Sequence, residues 1–151
     1  MTETYQFGNG VVLRRREMMD IQVQRYTEPG NPNLHEPVEE EWLLKVLNSI
    51  DQTDPVFLDV GAAVGYYSIL VKKKWPEATV IAVEPLPEHI EALHFNAALN
   101  DMQSKDITLL PVAVAAQDTV LFLDRKSFSS GLVEQSEPNT MEVQGKRLET
   151  L

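Results

Sequence analysis

Two blocks of the chain, Val56-Phe57-Leu58-Asp59-Val60 and Thr79-Val80-Ile81-Ala82-Val83, are apolar with little polar interruption. Runs without in-out alternation read as strands buried on both faces of a parallel sheet, and parallel neighbours need a crossover between them. Tyr66 to Trp75 supplies it as a predicted helix, ended before Pro76 because the residue preceding a proline avoids helical backbone. The unit is β-α-β with a right-handed crossover. A second helix is predicted from Pro87 to Leu99, with Ile90, Leu93 and Ala97 on one side, a proline in its first turn and Asn100 as C-cap. Ile107 to Val114 reads as a third strand, and Pro111, which has no donor for a neighbour, argues for an edge. Strand, helix, strand, helix, strand is half of a doubly wound sheet, so the fold class is α/β and Rossmann-like.

The flanks are patterned differently. Val38, Trp42, Leu43, Val46, Leu47 and Ile50 recur at helical spacing from Pro37 to Ile50, which predicts an amphipathic helix with that stripe toward the core. Glu39, Glu40 and Glu41 fall in its early turns, where the helix dipole favours negative charge, and so need no metal or substrate to explain them. Residues 5–26 are rich in β-formers around Gly8-Asn9-Gly10, with loose alternation through Met19, Ile21 and Val23, and predict a hairpin or small sheet. The turn formers of 27–33 mark the best boundary, giving an N-terminal β extension over 1–33 and a Rossmann-like domain over 34–151. Two further β-like segments, Thr119 to Leu123 and Met141 to Leu148, flank a polar loop with Ser127, Ser129, Ser130 and Gly131.

A length of 151 residues fits one core. A formal charge of -10 repels a phosphate backbone, so no nucleic-acid partner is expected. Arg14-Arg15-Arg16 sits beside Glu17 and Asp20 and reads as a solvated strand or turn. With no cysteine, disulfides, thiolate metal sites and cysteine nucleophiles are excluded. No apolar stretch approaches the ~20 residues of a spanning helix, and MTETYQFGNG lacks a leader pattern, so a cytoplasmic protein without a membrane partner is expected. His89 and His94 are five apart, a spacing that does not align two ligands on one helical face, and no metal site is expected. His35 is within reach of a ligand cleft, but a lone histidine there reads first as a loop or capping residue. The serines of the polar loop lack a histidine and acid partner for a nucleophilic triad.

The chemistry is concentrated in Asp59-Val60-Gly61-Ala62-Ala63-Val64-Gly65, between a buried strand and a helix, with Glu84 ending the next strand. Gly61 permits a sharp turn and close approach of a ligand, Gly65 permits close strand–helix packing, and the amides at the helix start are donors. Glu84 follows Gly65 by nineteen residues, near the spacing at which a strand-end acid meets the two hydroxyls of a ribose. The loop lacks the P-loop lysine, and Ala63 and Val64 surround the place of the middle glycine of a dinucleotide loop, so a triphosphate or a nicotinamide cofactor is disfavoured. Asp-x-Gly-x-x-x-Gly instead suits a nucleoside with an amino-acid arm, whose carboxylate meets loop amides and whose ammonium or sulfonium is balanced by Asp59.

These residues resemble the FkbM-type S-adenosylmethionine-dependent methyltransferases. The resemblance runs from His35-Glu36-Pro37 through the glycine loop with Tyr66-Tyr67-Ser68 to Val80-Ile81-Ala82-Val83-Glu84-Pro85. It continues through Asn96, Asn100, Val112-Ala113-Val114 and Arg147-Leu148-Glu149-Thr150-Leu151. It implies a class I methyltransferase-like sheet and S-adenosylmethionine as cofactor. Asp59, Gly61, Ala62, Gly65 and Tyr66 would line its methionine end, Glu84 would hold the ribose, and Pro85 and Leu86 would lie beside the adenine. The family's loop usually has asparagine where Ala63 stands, and its later leucine-aspartate pair is Leu148-Glu149 here.

The resemblance further implies O-methylation of a sugar or small natural product, a small-molecule or glycan substrate, by a sheet of seven strands. Only the N-terminal portion of that sheet is expected here, with one strand edge left open to a homo-oligomer or a second chain. The other reading is a non-catalytic cofactor-binding or interaction module completed by that partner. No residue stands out as the base that a hydroxyl acceptor needs.

Overall fold

The computed structural model describes residues 3–124, 132–133 and 139–151. The β-α-β-α-β pattern is present: β3 (Val56–Val60), α3 (Tyr66–Lys74), β4 (Thr79–Val83), α4 (Pro87–Leu99) and β5 (Ile107–Leu110). The strands form a parallel sheet in the order β3-β4-β5, with Leu58 opposite Ile81 and Ile81 opposite Thr108. This is an α/β, Rossmann-like half sheet. In register, Phe57, Val80, Ala82, Ile107 and Leu109 share one face and pack with Ile69, Leu70 and Val71 of α3 and Leu93 and Ala97 of α4. On the opposite face Val56 and Val60 are exposed, and Leu58 and Ile81 are half-buried. Among the described residues the expectation of strands covered on both faces therefore holds for one face and, on the other, for Val83 but not for the ends of β3, and β3 pairs with β4 alone.

The predicted third strand is split. Pro111 has no N–H for a ladder, and Val112 turns back to donate to Leu110 O at 2.9 Å. The chain then enters a second sheet as β6 (Ala113–Val114), which pairs parallel to β9 (Thr140–Lys146). There β9 is antiparallel to β7 (Thr119–Asp124), and β7 to β8 (Leu132–Val133). Leu148, expected in the last strand, lies in a short 3-10 turn over Leu148–Thr150. Asp118 ties that turn down by accepting from Arg147 N–H at 3.0 Å and Thr150 Oγ1 at 3.2 Å. Leu86, Ala113, Leu123 and Val143 make a small core of their own beneath this sheet.

The N-terminal hairpin is β1 (Thr4–Gln6) and β2 (Val12–Arg14), paired antiparallel. Its Phe7, Val11 and Leu13 are buried in the main core. The β character ends there: Asp20–Tyr26 is a helix, α1. Gln22 Oε1 reaches back to Met19 N–H at 3.0 Å and fixes the first turn, and Val23 and Tyr26 turn inward at helical spacing while Ile21 is exposed. The alternation of Met19, Ile21 and Val23 was incidental to that helical register.

The helix predicted from Pro37 forms as α2 (Pro37–Asn48), rotated from the expected orientation. Val38, Trp42 and Val46 face outward, and Leu43 and Leu47 meet the core together with Glu40, which is 2% exposed. The hydrogen bonds awaiting Glu40 inside, described below, offset the cost of burying its charge. Among the described residues no helix is long and apolar enough to cross a membrane.

Candidate functional site

Polar side chains do for β2 what a neighbouring strand would. Arg14 N–H donates to Asn96 Oδ1 at 2.8 Å, Val12 N–H donates to Asn100 Oδ1 at 3.0 Å, and Asn100 Nδ2 donates to Val12 O at 2.7 Å. Asn96 also donates through Nδ2 to Val64 O at 2.9 Å, so one side chain joins the hairpin to the glycine loop. Arg14 is buried over the Phe95 ring, 4.4 Å from its centroid, and paired with Glu17.

The glycine loop leaves β3 at Gly61, φ +77°, and enters α3 at Gly65, φ +88°. A Cβ on Gly61 would meet nothing within 4 Å, whereas one on Gly65 would lie 2.7 Å from Leu93 Cγ. The first glycine therefore keeps open space above the loop, and the second lets α4 pack closely. Ala63 also has positive φ, +46°, where the Cβ is disfavoured. Much of the loop's donor capacity is used internally: Gly61 and Ala62 N–H both donate to Val83 O, at 2.8 and 3.1 Å, and Gly65 N–H donates to Ala62 O at 2.8 Å. The amides opening α3 lack intrahelical acceptors by construction.

Glu84 ends β4 and is buried. Its Oε2 accepts from Ala63 N–H at 2.9 Å, its Oε1 accepts from Leu86 N–H at 2.9 Å, and His89 Nδ1 lies 3.3 Å from Oε1. Burial pushes the carboxyl up, but His89 and these two amides outweigh it and hold its pKa below the ordinary value. Asp59 goes the other way: burial raises its pKa, aided by the Glu84 charge, despite the bond it accepts from Ser68 Oγ at 2.6 Å.

Asp59 and Gly61 to Val64 form part of the lining of a cavity of about 250 Å³, which Phe7, Met18, Gln22, Tyr26, His35, Tyr66 and Tyr67 help to enclose. Beneath it, Glu40 gathers donors from three elements. Its Oε1 accepts from Tyr66 Oη at 2.7 Å, His35 N–H at 3.0 Å and Glu36 N–H at 3.3 Å. Its Oε2 accepts from Asn9 Nδ2 at 2.8 Å, which also donates to Tyr66 Oη at 2.8 Å. The Tyr66 phenol is pushed strongly up, first by burial and then by donating to Glu40, and the Tyr67 phenol behaves likewise with Glu36. Both stay protonated.

No family model matches the chain. It is 40% identical over 52 residues to the Methyltransferase sdnD of Sordaria araneosa, covering 34% of this chain and 20% of that protein. With the Malonyl-[acyl-carrier protein] O-methyltransferase of Xylella fastidiosa (strain M23) it shares 39% over 85 residues, 54% of this chain and 29% of that one. The chain thus matches less than a third of the length of each of these curated relatives. Among solved structures, a Precorrin-6y C5,15-methyltransferase from Geobacter metallireducens GS-15 aligns with a TM-score of 0.42 at 20% identity, over 59% of this chain and 45% of that one.

Of the residues singled out in the sequence, Asp59, Gly61, Ala62 and Tyr66 meet in the cavity. Glu84 joins them through Ala63. Gly65 packs on Leu93, Pro85 is half-buried, and the Leu86 side chain lies in the small core while its amide serves Glu84. Ser127, Ser129, Ser130 and Gly131 lie outside the described residues. The sequence reading gives no site role to Asn9 or Tyr26, takes Glu40 as a solvent-side residue of the helix dipole and weighs His89 only as a metal ligand. The detectable signal was a glutamate followed by another four residues later at the start of α2, a spacing that puts Glu36 and Glu40 on one side of the turn.

Proposed function

We propose that this chain carries the cofactor-binding half of an S-adenosylmethionine-dependent methyltransferase of FkbM type, which methylates an oxygen of a sugar or small natural product. The observation that carries it is the open space over Gly61, facing a cavity lined by Asp59, with a strand-end carboxylate, Glu84, on the neighbouring parallel strand. The residues fit the group. The cavity, about 250 Å³, lies below the ~300–1,000 Å³ of whole ligand sites and suits an amino-acid arm and the reacting end of an acceptor rather than an entire nucleoside. Asp59 balances the arm's positive charge, and the α3 amides are donors for its carboxylate. Glu84 has three of its roughly four acceptor directions taken, so a ribose diol exchanges with His89 at Oε1. When bound, the cofactor supplies an electrophilic methyl group; the chain's part is to orient it and keep water from it. The likeness to two methyltransferases over the aligned stretches supports the reading.

Titrating S-adenosylhomocysteine into the purified chain by calorimetry tests it without an acceptor: saturation near one equivalent is expected. Gly61→Val fills the open space and should abolish the heat while far-ultraviolet circular dichroism stays close to wild type. A folded wild-type chain that gives no heat refutes the site.

The side of β3 without a neighbour among the described residues and the exposed Val56 and Val60 favour a second reading, a module completed by another chain or copy along that edge. Methylation by a strictly monomeric chain, by native mass measurement and activity assay on one sample, would eliminate it.

A further inference from the structure

The titratable side chains lining the cavity each have a partner for at least one polar atom. Asp59 accepts from Ser68, and Glu17 is paired with Arg14 and Arg16. Tyr66 donates to Glu40, and Tyr67 donates to Glu36 Oε2 at 2.7 Å. Tyr26 Oη is 2.5 Å from Nδ1 of His35. Of the two ring nitrogens of His35, Nδ1 is taken by Tyr26, whereas Nε2 is 4.0 Å from Glu36 Oε2 and so beyond direct hydrogen-bond reach. The ring is nevertheless fixed. Its backbone N–H is held by Glu40, and its face is packed against Tyr66 at 4.9 Å between centroids.

We propose that His35 Nε2 accepts the proton from the hydroxyl group methylated in this cavity, an inference that rests on the methyltransferase reading. The acceptor's O–H bond breaks and its proton moves to Nε2; the O–C bond forms as the S–C bond breaks, and that electron pair stays on sulfur. Positive charge thereby leaves sulfur and appears on the imidazole. The surroundings suit both ends of the step. In the protonated ring, Nδ1–H has the Tyr26 oxygen as acceptor and Nε2–H faces the Glu36 carboxylate. In the resting ring, burial and then Arg25 of α1 hold the pKa below its ordinary value, against Glu36, Glu40 and Glu39 at the start of α2. Among the described residues, the rings that meet it are the protonated phenols of Tyr66 and Tyr67 from α3 and Phe7 from the hairpin, with Tyr26 from α1. At neutral pH the ring is therefore uncharged, and in the tautomer whose Nδ1–H donates to Tyr26 Oη the Nε2 lone pair is free to take a proton.

The chain has three histidines, so its ring resonances can be followed individually by NMR in histidine-labelled protein, with His35→Gln identifying the signal. The titration midpoint of His35 is measured with S-adenosylhomocysteine and with S-adenosylmethionine bound. These ligands differ by the methyl group and its sulfonium charge. A unit positive charge close to Nε2 should lower the midpoint by about one pH unit relative to the thioether complex. Calorimetry should show S-adenosylhomocysteine affinity in His35→Gln within about threefold of wild type, since a proton acceptor does not hold the thioether. Equal His35 midpoints in the two complexes, or a loss of affinity beyond tenfold in a folded variant, overturns the proposal and leaves the methyltransferase reading standing. Absence of binding of either nucleoside to the wild-type chain refutes that reading and the proposal with it.

Discussion

Gly61 and Gly65 have similar positive φ and opposite surroundings, which lets one experiment separate strain from steric exclusion. An alanine at either site must hold positive φ, at about 1–2 kcal/mol for the left-handed region. At Gly61 nothing further opposes it, because the new methyl group has no neighbour within 4 Å. At Gly65 it would lie 2.7 Å from Leu93 Cγ, 3.3 Å from Cδ1 and 3.5 Å from Cβ. Leu93 is buried and offers its branch point, so it cannot swing aside, and overpacking adds about 1–3 kcal/mol. Gly65→Ala should thus cost about 2–5 kcal/mol, a large share of the ~5–15 kcal/mol that stabilises a typical domain, and Gly61→Ala about 1–2 kcal/mol. Urea unfolding gives both, and a cycle with Leu93→Ala isolates the clash: the double variant should cost less than the sum of the singles by about 1–3 kcal/mol. Equal destabilisation at the two glycines, or additivity in the cycle, would refute the assignment of Gly65 to packing.

Asp59 has a raised pKa in the folded chain, so the native state holds its proton more tightly than the unfolded one and stability falls as pH rises from about 4 through the raised value. Asp59→Asn, followed by urea unfolding between pH 3 and 7, should flatten that decline; an unchanged slope would contradict it. Glu84 has the opposite sign, its contribution present above the ordinary carboxyl pKa and lost on acidification, so Glu84→Gln should be less stable than wild type at pH 7 and converge with it at low pH. Glu40→Ala strands the donors of Asn9, Tyr66, His35 and Glu36 and should cost at least about 3 kcal/mol by thermal or urea unfolding; a loss under 1 kcal/mol would show that water replaces the carboxylate. Asn96→Ala should weaken both the hairpin and the glycine loop, read as faster amide exchange at Arg14 and in the loop together.

The parallel core was legible because its strands are apolar runs with a glycine turn between strand and helix, features set within a few residues of one another. Pro111 marked an edge and did more, cutting the strand into β5 and β6. What misled was periodicity shared by two registers: Met19, Ile21 and Val23 fit a strand until Gln22 capped a helix, and the stripe of α2 fixed its period but not its inward side. That orientation is decided by Glu40, whose burial depends on Asn9 and Tyr66, 31 and 26 residues away, and no local pattern records such pairings. The site divides in the same way. Asp59, Gly61 and Glu84 announce themselves by spacing, whereas Tyr26 and His35 become a pair only once α1 folds beside the cavity.

The asparagine clasp on β2 also sets a timetable. Val12 must wait for a partner 88 residues later, and Arg14 for one 82 residues later. With translation at ~5–20 residues per second, roughly 4–18 s pass between synthesis of the hairpin and of the helix that holds it. Early in that interval Phe7, Val11 and Leu13 lack most of their core, since Leu47, the α3 residues Ile69 to Val71, Val80 and Ala82 of β4 and Leu93 and Ala97 of α4 are made only later. The first segment made is among the last secured, and the nascent hairpin is where a chaperone or a neighbouring nascent chain would find exposed apolar surface.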